Sequence, residues 1–356
     1  VGSELCIRDR CATLIGVAAA MKEPGALEGM CGSIRFIAVP AEELIELGYR
    51  EELRKKGIIR YFGGKVEFIY RGYLDGVDMA MMIHSGSLKE GKALNINAGC
   101  NGCVTKNILF KGVSAHAGGA PEKGVNALYA ATCGLNAVNA IRETFVDDEH
   151  IRFHPIITEA GLAVNAIPEA AKVESYVRGA SYDSIYRYNK KVNLALAGAA
   201  ASIGCRLELN DRPGYFPLNN DPNMSDVVAA AMEAVAGPDS VERTDVWGTG
   251  CTDMGDVSAI MPAVHPHASG AVGTGHGCDY YIKDKELACV RPAQCLAVAA
   301  DMLLSGGGEL AKKVIAEAKP CFKSKEEYLA AIDRLEMSQE AVIYNEDGTV
   351  TLDYSR

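Results

Sequence analysis

Ile34-Arg35-Phe36-Ile37-Ala38-Val39-Pro40-Ala41-Glu42-Glu43 is an apolar, partly β-branched run stopped by a proline and followed at once by two adjacent carboxylates. It reads as a buried strand that delivers acidic groups to the edge of a sheet. Side-by-side carboxylates repel, and they are useful where a cation or a proton shares the site. The same residues also fit a helix start, because acidic side chains favour a first turn and Leu44-Ile45-Glu46-Leu47 continues with helical spacing. Both readings stay open on this stretch alone.

The surrounding composition narrows the field. A chain of 356 residues is long enough for two domains, and 48% hydrophobic with 23% charged residues is the make-up of an ordinary globular protein. A net charge of -10 lacks the basic face that a nucleic-acid partner requires. Twelve cysteines scattered through the chain do not form a disulfide framework and fit a reducing, cytoplasmic setting. Cys100-Asn101-Gly102-Cys103 is the one CxxC, without a second pair at zinc-finger spacing, and reads as a turn with two incidental thiols. No uninterrupted apolar run approaches the roughly 18 residues that span a bilayer, and residues 1–10 carry charges rather than the apolar core of a signal peptide. No membrane association is therefore expected.

Outward from the opening stretch, residues 10–23 are small and apolar without a polar face, which predicts a helix buried against a sheet. Residues 44–56 read as a charged helix, and Met79-Ala80-Met81-Met82-Ile83-His84 as a second apolar run ending in a potential ligand. Strand and helix in alternation predict an α/β sheet with functional groups at strand ends. The pattern changes beyond residue 103. Strands at 107–113, 152–157, 171–177 and 206–209, with long helices at 124–145 and 182–203, give the β-α-β-β-α-β order of a ferredoxin-like layer, so residues 104–212 are expected to form an inserted domain. A helix at 224–236, a Gly- and Asp-rich loop at 248–277, three helices between 285 and 337 and a β-hairpin at 341–354 complete the chain.

Glu43, His84 and His276 are candidate metal ligands, since carboxylate and imidazole together suit Zn²⁺, Mn²⁺ or Co²⁺. Glu42, beside Glu43, is then the candidate base that takes a proton from water on the metal. In the inserted stretch, His116 lies among small residues in Gly112-Val113-Ser114-Ala115-His116-Ala117-Gly118, where an imidazole can donate to an oxyanion. Arg178 can pair bidentately with a substrate carboxylate. A solvated turn for His116 and a surface ion pair for Arg178 account for the same residues equally simply.

Taken in order, Pro40 to Glu43, Ile83-His84-Ser85-Gly86, Gly112 to Ala117 with Pro121 to Leu128, Asn165 to Pro168 with Arg178, and Thr252-Asp253-Met254-Gly255-Asp256-Val257-Ser258 resemble the aminoacylase and glutamate carboxypeptidase family of metallopeptidases. The likeness runs from near residue 10 to near 305 and is strongest to the amidohydrolase branch that includes aminobenzoyl-glutamate hydrolase subunits. It implies a mixed-sheet α/β catalytic domain (1–103 and 213–356) that holds metal ions, and an inserted ferredoxin-like α+β lid and dimerisation domain (104–212). By motif match it makes Glu42 the general base and Glu43, His84 and His276 metal ligands for Zn or Mn. It makes His116 an oxyanion-stabilising histidine that reaches a partner's site, and Asn165 and Arg178 binders of the substrate carboxylate. The implied reaction is hydrolysis of an amide joining an acyl group to an amino acid, in a homodimer or a heteromer.

The chain departs from this pattern in one place. Where the family has Cys-Gly-His-Asp or Cys-Gly-His-Asn, it has Cys6-Ile7-Arg8-Asp9, which puts an arginine where a metal ligand is expected. With the family's upstream strands absent as well, the expectation is a fragment, a degenerate relative or one subunit of a heteromer. The alternative function is accordingly a non-catalytic or regulatory homologue that has lost part of a dinuclear site.

Overall fold

The computed structural model describes residues 3–275 and 277–355, with side chains from residue 9 onward. Met79 to Ser85 forms a strand in two pieces, Ala80–Met81 and His84–Ser85, running parallel to Ala263–Val264 and His267–Ala268. His267–Ala268 pairs antiparallel with Leu94–Ile96, which in turn pairs parallel with Val241–Arg243, so the sheet is mixed. Period-2 alternation sorts its side chains. Ile83, Leu94, Ile96, Val264 and Ala268 enter a core with the helices Pro222–Ala236, Arg291–Leu304 and Glu309–Glu317. Ala80, Met82 and Ala263 face the opposite core, with Gly64–Tyr70, Met254–Ser258 and Lys325–Asp333. Helices on both faces of a mixed sheet make this an α/β layer.

The second body has the expected β-α-β-β-α-β order. Its strands are Gly102–Lys111, Arg152–Phe153 with Ile156–Glu159, Ala170–Gly179 and Arg206–Tyr215, and its helices are Ala127–Ile141 and Tyr182–Ser202. All of these strand pairs are antiparallel, with Gly102–Lys111 central between Ala170–Gly179 and Arg206–Tyr215. Both helices start with a side-chain cap, Asn126 accepting from Tyr129 N and Ser181 forming a capping box with Ser184.

Four sequence expectations need correction. Residues 34–39 have no regular secondary structure and pair with no strand among the described residues. The segment is held by side chains, Arg35 donating to the carbonyls of Tyr73 and Asp75 at 2.8 and 3.1 Å. It is also held by the close approach of Gly64, where a Cβ would stand 2.3 Å from Val39. Second, the first helix, Ser3–Ala20, begins earlier than residue 10, includes Cys6 to Asp9, and packs against the His84–Ser85 strand and the Arg291–Leu304 helix through one side only. Asp9, Thr13 and Val17 form one buried stripe, Gly16 lies against Ala293, and Ile15 on the outer side is 69% exposed. Third, the C-terminal residues do not complete the catalytic part. Met337–Glu340 adds an antiparallel strand to Arg206–Tyr215, and the hairpin of Val342–Tyr344 with Val350–Leu352 packs its apolar side on the lid core. Fourth, Glu286–Leu304 does reach membrane-spanning length and apolarity. Its apolar residues pack against Pro222–Ala236, Ser3–Ala20 and Glu309–Glu317, so they serve a helix core.

Candidate active site

Residues 40–46 form a loop rather than a strand end, and its backbone is clamped from three directions. Tyr215 donates its hydroxyl to the carbonyl of Glu42, and Tyr176 to that of Leu44. Arg50 donates to the carbonyls of Glu43, Ile45 and Phe62. Because both tyrosines stand on lid strands, the acidic loop sits where lid and sheet meet.

With the main chain so occupied, the Glu42 carboxylate turns to an ionic cluster. Arg10 Nη1 lies 3.5 Å from Glu42 Oε2. Lys65 Nζ lies 2.5 Å from Asp253 Oδ1, and Asp253 is wholly buried with Oδ2 lacking a hydrogen-bond partner. Burial, opposed by Lys65 and reinforced by Glu42, lifts the Asp253 carboxyl to about 6. Tyr215 is pushed well above the usual phenol range by burial and then by Asp253 and Glu42, which places these three groups within reach of one another's fields.

Three imidazoles stand beside them. His267 is in register with His84 on the neighbouring strand, and His265 lies two residues back on the same face. Ring centroids are 5.5 Å apart for His84 and His267, 6.1 Å for His84 and His265, and 5.9 Å for His265 and His267. Burial, then His267 and His84, hold His265 well below the usual imidazole range, and burial followed by His84 brings His267 to about 4. The Nε2 of His265 is buried without a hydrogen-bond partner. His84 Nδ1 lies 2.5 Å from the Ser85 carbonyl, which can only accept, so the proton sits on Nδ1 and the lone pair on Nε2. Asp9, its carboxyl raised chiefly by burial, accepts from Ser85, whose hydroxyl is 2.8 Å from that of Tyr280.

The sequence-selected residues divide into two groups. Glu42, Glu43 and His84 lie on the catalytic part at this junction, and Arg178 faces it from the root of the lid, its guanidinium 5.5 Å from the centroid of the Tyr176 ring. His116 and Asn165 are joined at the far end by the bridge His116 to Ala166 and the bond from Ala117 N to the Asn165 carbonyl. The register from Cys103–Arg178 to Lys111–Ala170 separates the two ends by about 30 Å at the usual strand rise. Within one chain, Asn165 and Arg178 therefore lie at opposite ends of the lid. His116 accepts at Nδ1 from the Gly118 and Gly119 amides at 3.2 and 2.9 Å, which leaves Nε2–H as an outward donor. His276 lies outside the described residues.

Sequence reasoning attached no role to Arg10, Lys65, Asp253, His265 or His267. A signal existed for the last two, since His265-Pro266-His267 closes the apolar run Met261 to Val264 as His84 closes its own. The lysine and arginine gave none, because their partners lie far away in sequence.

Residues 99–207 match the peptidase dimerisation domain of the M20 family. The mouse (Mus musculus) Xaa-Arg dipeptidase is 28% identical over 257 residues, 71% of this chain and 54% of the relative. One of the two subunits of the p-aminobenzoyl-glutamate hydrolase of Escherichia coli K12 is 30% identical over 67% of this chain and 50% of its own length. The chain thus spans about half the length of the curated relatives it matches. Among solved structures, an aminobenzoyl-glutamate utilization protein from Klebsiella pneumoniae aligns over 81% of this chain and 66% of its own, with TM-score 0.59 and 22% identity. A dinuclear metal-binding M20 peptidase from Bacillus subtilis aligns over 83% of this chain and 71% of its own, with TM-score 0.59 and 19% identity, a likeness of fold. The α/β layer, the inserted lid and these relatives together support assignment to the M20 family of peptidases and amidohydrolases.

Proposed function

We propose that this chain hydrolyses the amide bond of an N-acyl amino acid or a dipeptide-like substrate at the junction of lid and sheet. The observation that carries the reading is the placement of the Glu42 carboxylate beside Asp253, Lys65 and the imidazole cluster, on a loop clamped by lid tyrosines. The named activities of the relatives, on an Xaa-Arg dipeptide and on p-aminobenzoyl-glutamate, support the substrate class.

Among the described residues, no three His, Cys, Asp or Glu side chains converge on a ready metal site. The donor chemistry nevertheless suits one divalent ion, Zn or Mn. His84 has its lone pair on Nε2, and Asp253 Oδ2 and His265 Nε2 are buried without hydrogen-bond partners. His84, Glu43 and His276 would hold the ion. Arg10 and Lys65 already bring two positive charges to the same cluster, which opposes a second ion. When bound, the ion supplies Lewis-acid polarisation of the scissile carbonyl.

The chain's own groups do the rest. Glu42 takes a proton from the attacking water and returns it to the leaving amine. Arg178 grips the substrate carboxylate, which fixes the acyl group over Glu42. His116 Nε2–H, at the far end of the lid, donates to the oxyanion in the site of a second copy, as a dimer through the lid allows. We propose a homodimer, with a heteromer as the other arrangement, in the cytoplasm, where scattered thiols stay reduced. Protein supplied with Zn²⁺ or Mn²⁺ is expected to hydrolyse members of a panel of N-acyl amino acids and dipeptides, and Glu42→Gln to lower kcat by about a hundredfold or more. Unchanged kcat in Glu42→Gln would show that another group is the base.

One observation favours a second reading. The Arg10–Glu42 ion pair occupies the carboxylate that the reaction needs, as it would in a regulatory homologue that retains the fold.

A further inference from the structure

Three thiols that the proposed hydrolysis does not use converge where the chain passes from the catalytic part into the lid. Cys100 and Cys103 flank this crossing, and Cys251 approaches it from the loop that precedes Asp253. The Cys251 thiol donates to the Gly102 carbonyl at 3.5 Å, and Cys251 packs against the cluster that contains Cys103. Cys103 sits at a register shift between Gly102–Lys111 and Arg206–Tyr215, over Gly214. A Cβ at Gly214 would stand 2.6 Å from Cys103 Sγ, so the glycine makes room for the sulfur. Cys103 is buried but lines a small cavity with Gly214, Tyr215 and Asp256, and Cys251 is partly exposed.

We propose that Cys103 and Cys251 are a peroxide-responsive dithiol whose disulfide bolts residues 248–253 to the root of the lid. Cys103 is the attacking sulfur, because the neighbouring Cys251, together with the Tyr215 amide and the nearby Arg178, outweighs burial and holds it below the usual thiol range. Burial pushes Cys100 up to about 12, so it stays a thiol. The Cys103 thiolate attacks one oxygen of hydrogen peroxide, the O–O bond breaks, and hydroxide leaves and is protonated to water. Cys251 sulfur then attacks the resulting sulfenic sulfur, the S–O bond breaks, and a second water leaves with the Cys251 proton. Two thiols thus lose two protons and two electrons, and one peroxide takes them up to become two waters. Because Cys251 packs against the cluster that holds Cys103 and bonds the carbonyl of the residue before it, an approach of the two sulfurs within this cluster forms the bond.

The test uses the full chain, reduced and then treated with a small excess of hydrogen peroxide, quenched with N-ethylmaleimide and mapped by mass spectrometry without reduction. The expected result is a Cys103–Cys251 cross-linked peptide, reversed by dithiothreitol, forming before the exposed Cys31 and Cys133 lose their reactivity to maleimide. In Cys251→Ser the cross-link is expected to vanish and Cys103 to accumulate as sulfenic or sulfinic acid. A Cys100–Cys103 disulfide would overturn the proposal, as would unmodified Cys103 and Cys251 at doses that oxidise Cys31 and Cys133. The wild-type map alone decides between these outcomes, so the test does not depend on the variant folding.

Discussion

Glu42 is oriented by the atoms it does not use for chemistry: its carbonyl is tied to Tyr215, and its carboxylate is left to meet Arg10. If Arg10 holds Glu42 ionised and in place, Arg10→Met is expected to lower kcat about tenfold with KM little changed; if it blocks the base, the same variant gains activity. Steady-state kinetics on the best substrate of the panel separates the two. The histidines give a second expectation. His265 and His267 are both depressed, chiefly by burial, so the fold keeps them neutral at pH values where the unfolded chain binds protons. The contribution of His267 to stability is complete above the ordinary value near 6.5 and is lost as pH falls toward about 4, at about 1.4 kcal/mol per pH unit, and His265 acts in the same direction. Urea midpoints of chelator-treated protein measured across that window are expected to fall with pH, and to fall less steeply in His267→Gln.

At the scale of elements, the lid was legible because its four strands and two helices each carry a complete apolar period, and the correct order followed from counting them. Its strand limits were not legible. Gly102–Lys111 begins five residues before the sequence suggested, because Lys106 interrupts the apolar pattern. In the fold, Lys106 is fully buried and donates to Asn189, Asn193 and Asp211 at 2.9, 2.5 and 2.6 Å, partners 83 to 105 residues away. Lys106→Met is expected to cost about 3–5 kcal/mol by leaving Asp211 buried without its cation, and Lys106→Met with Asp211→Leu to cost less than the single change; equilibrium unfolding measures both. Residues 34–39 failed in the opposite sense. Their alternation is that of a strand, but a strand requires a neighbouring ladder, and none of the described residues provides one. The lid also has an open edge, with Ile156–Glu159 exposed throughout and Leu162 and Val164 fully exposed beyond it. An apolar edge of this kind invites a second copy, and Leu162→Glu with Val164→Glu is expected to shift a dimer toward monomer in light scattering.

For the whole molecule, the two bodies are more closely interwoven than the sequence suggested. The C-terminal strand and hairpin leave the catalytic part and extend the lid, a pairing set by the register of Met337 with Asp211 that no local pattern announces. Two lid tyrosines and one lid cysteine in turn shape the acidic loop and the segment that carries Asp253. Glu42, Glu43 and His84 were legible as candidates because each ends an apolar run, and the fold brings them to the junction. The charges that balance them, Arg10 and Lys65, were not, because an ion pair between a first helix and a distant loop has no sequence period. These two cations confine the centre to a single divalent ion in the proposed function. The most direct test is elemental analysis of protein purified without chelator and equilibrated with Zn²⁺ or Mn²⁺. One tightly bound ion per chain, lost in His84→Ala, is the expected result, and protein that stays metal-free under those conditions would contradict metal-assisted hydrolysis at this site.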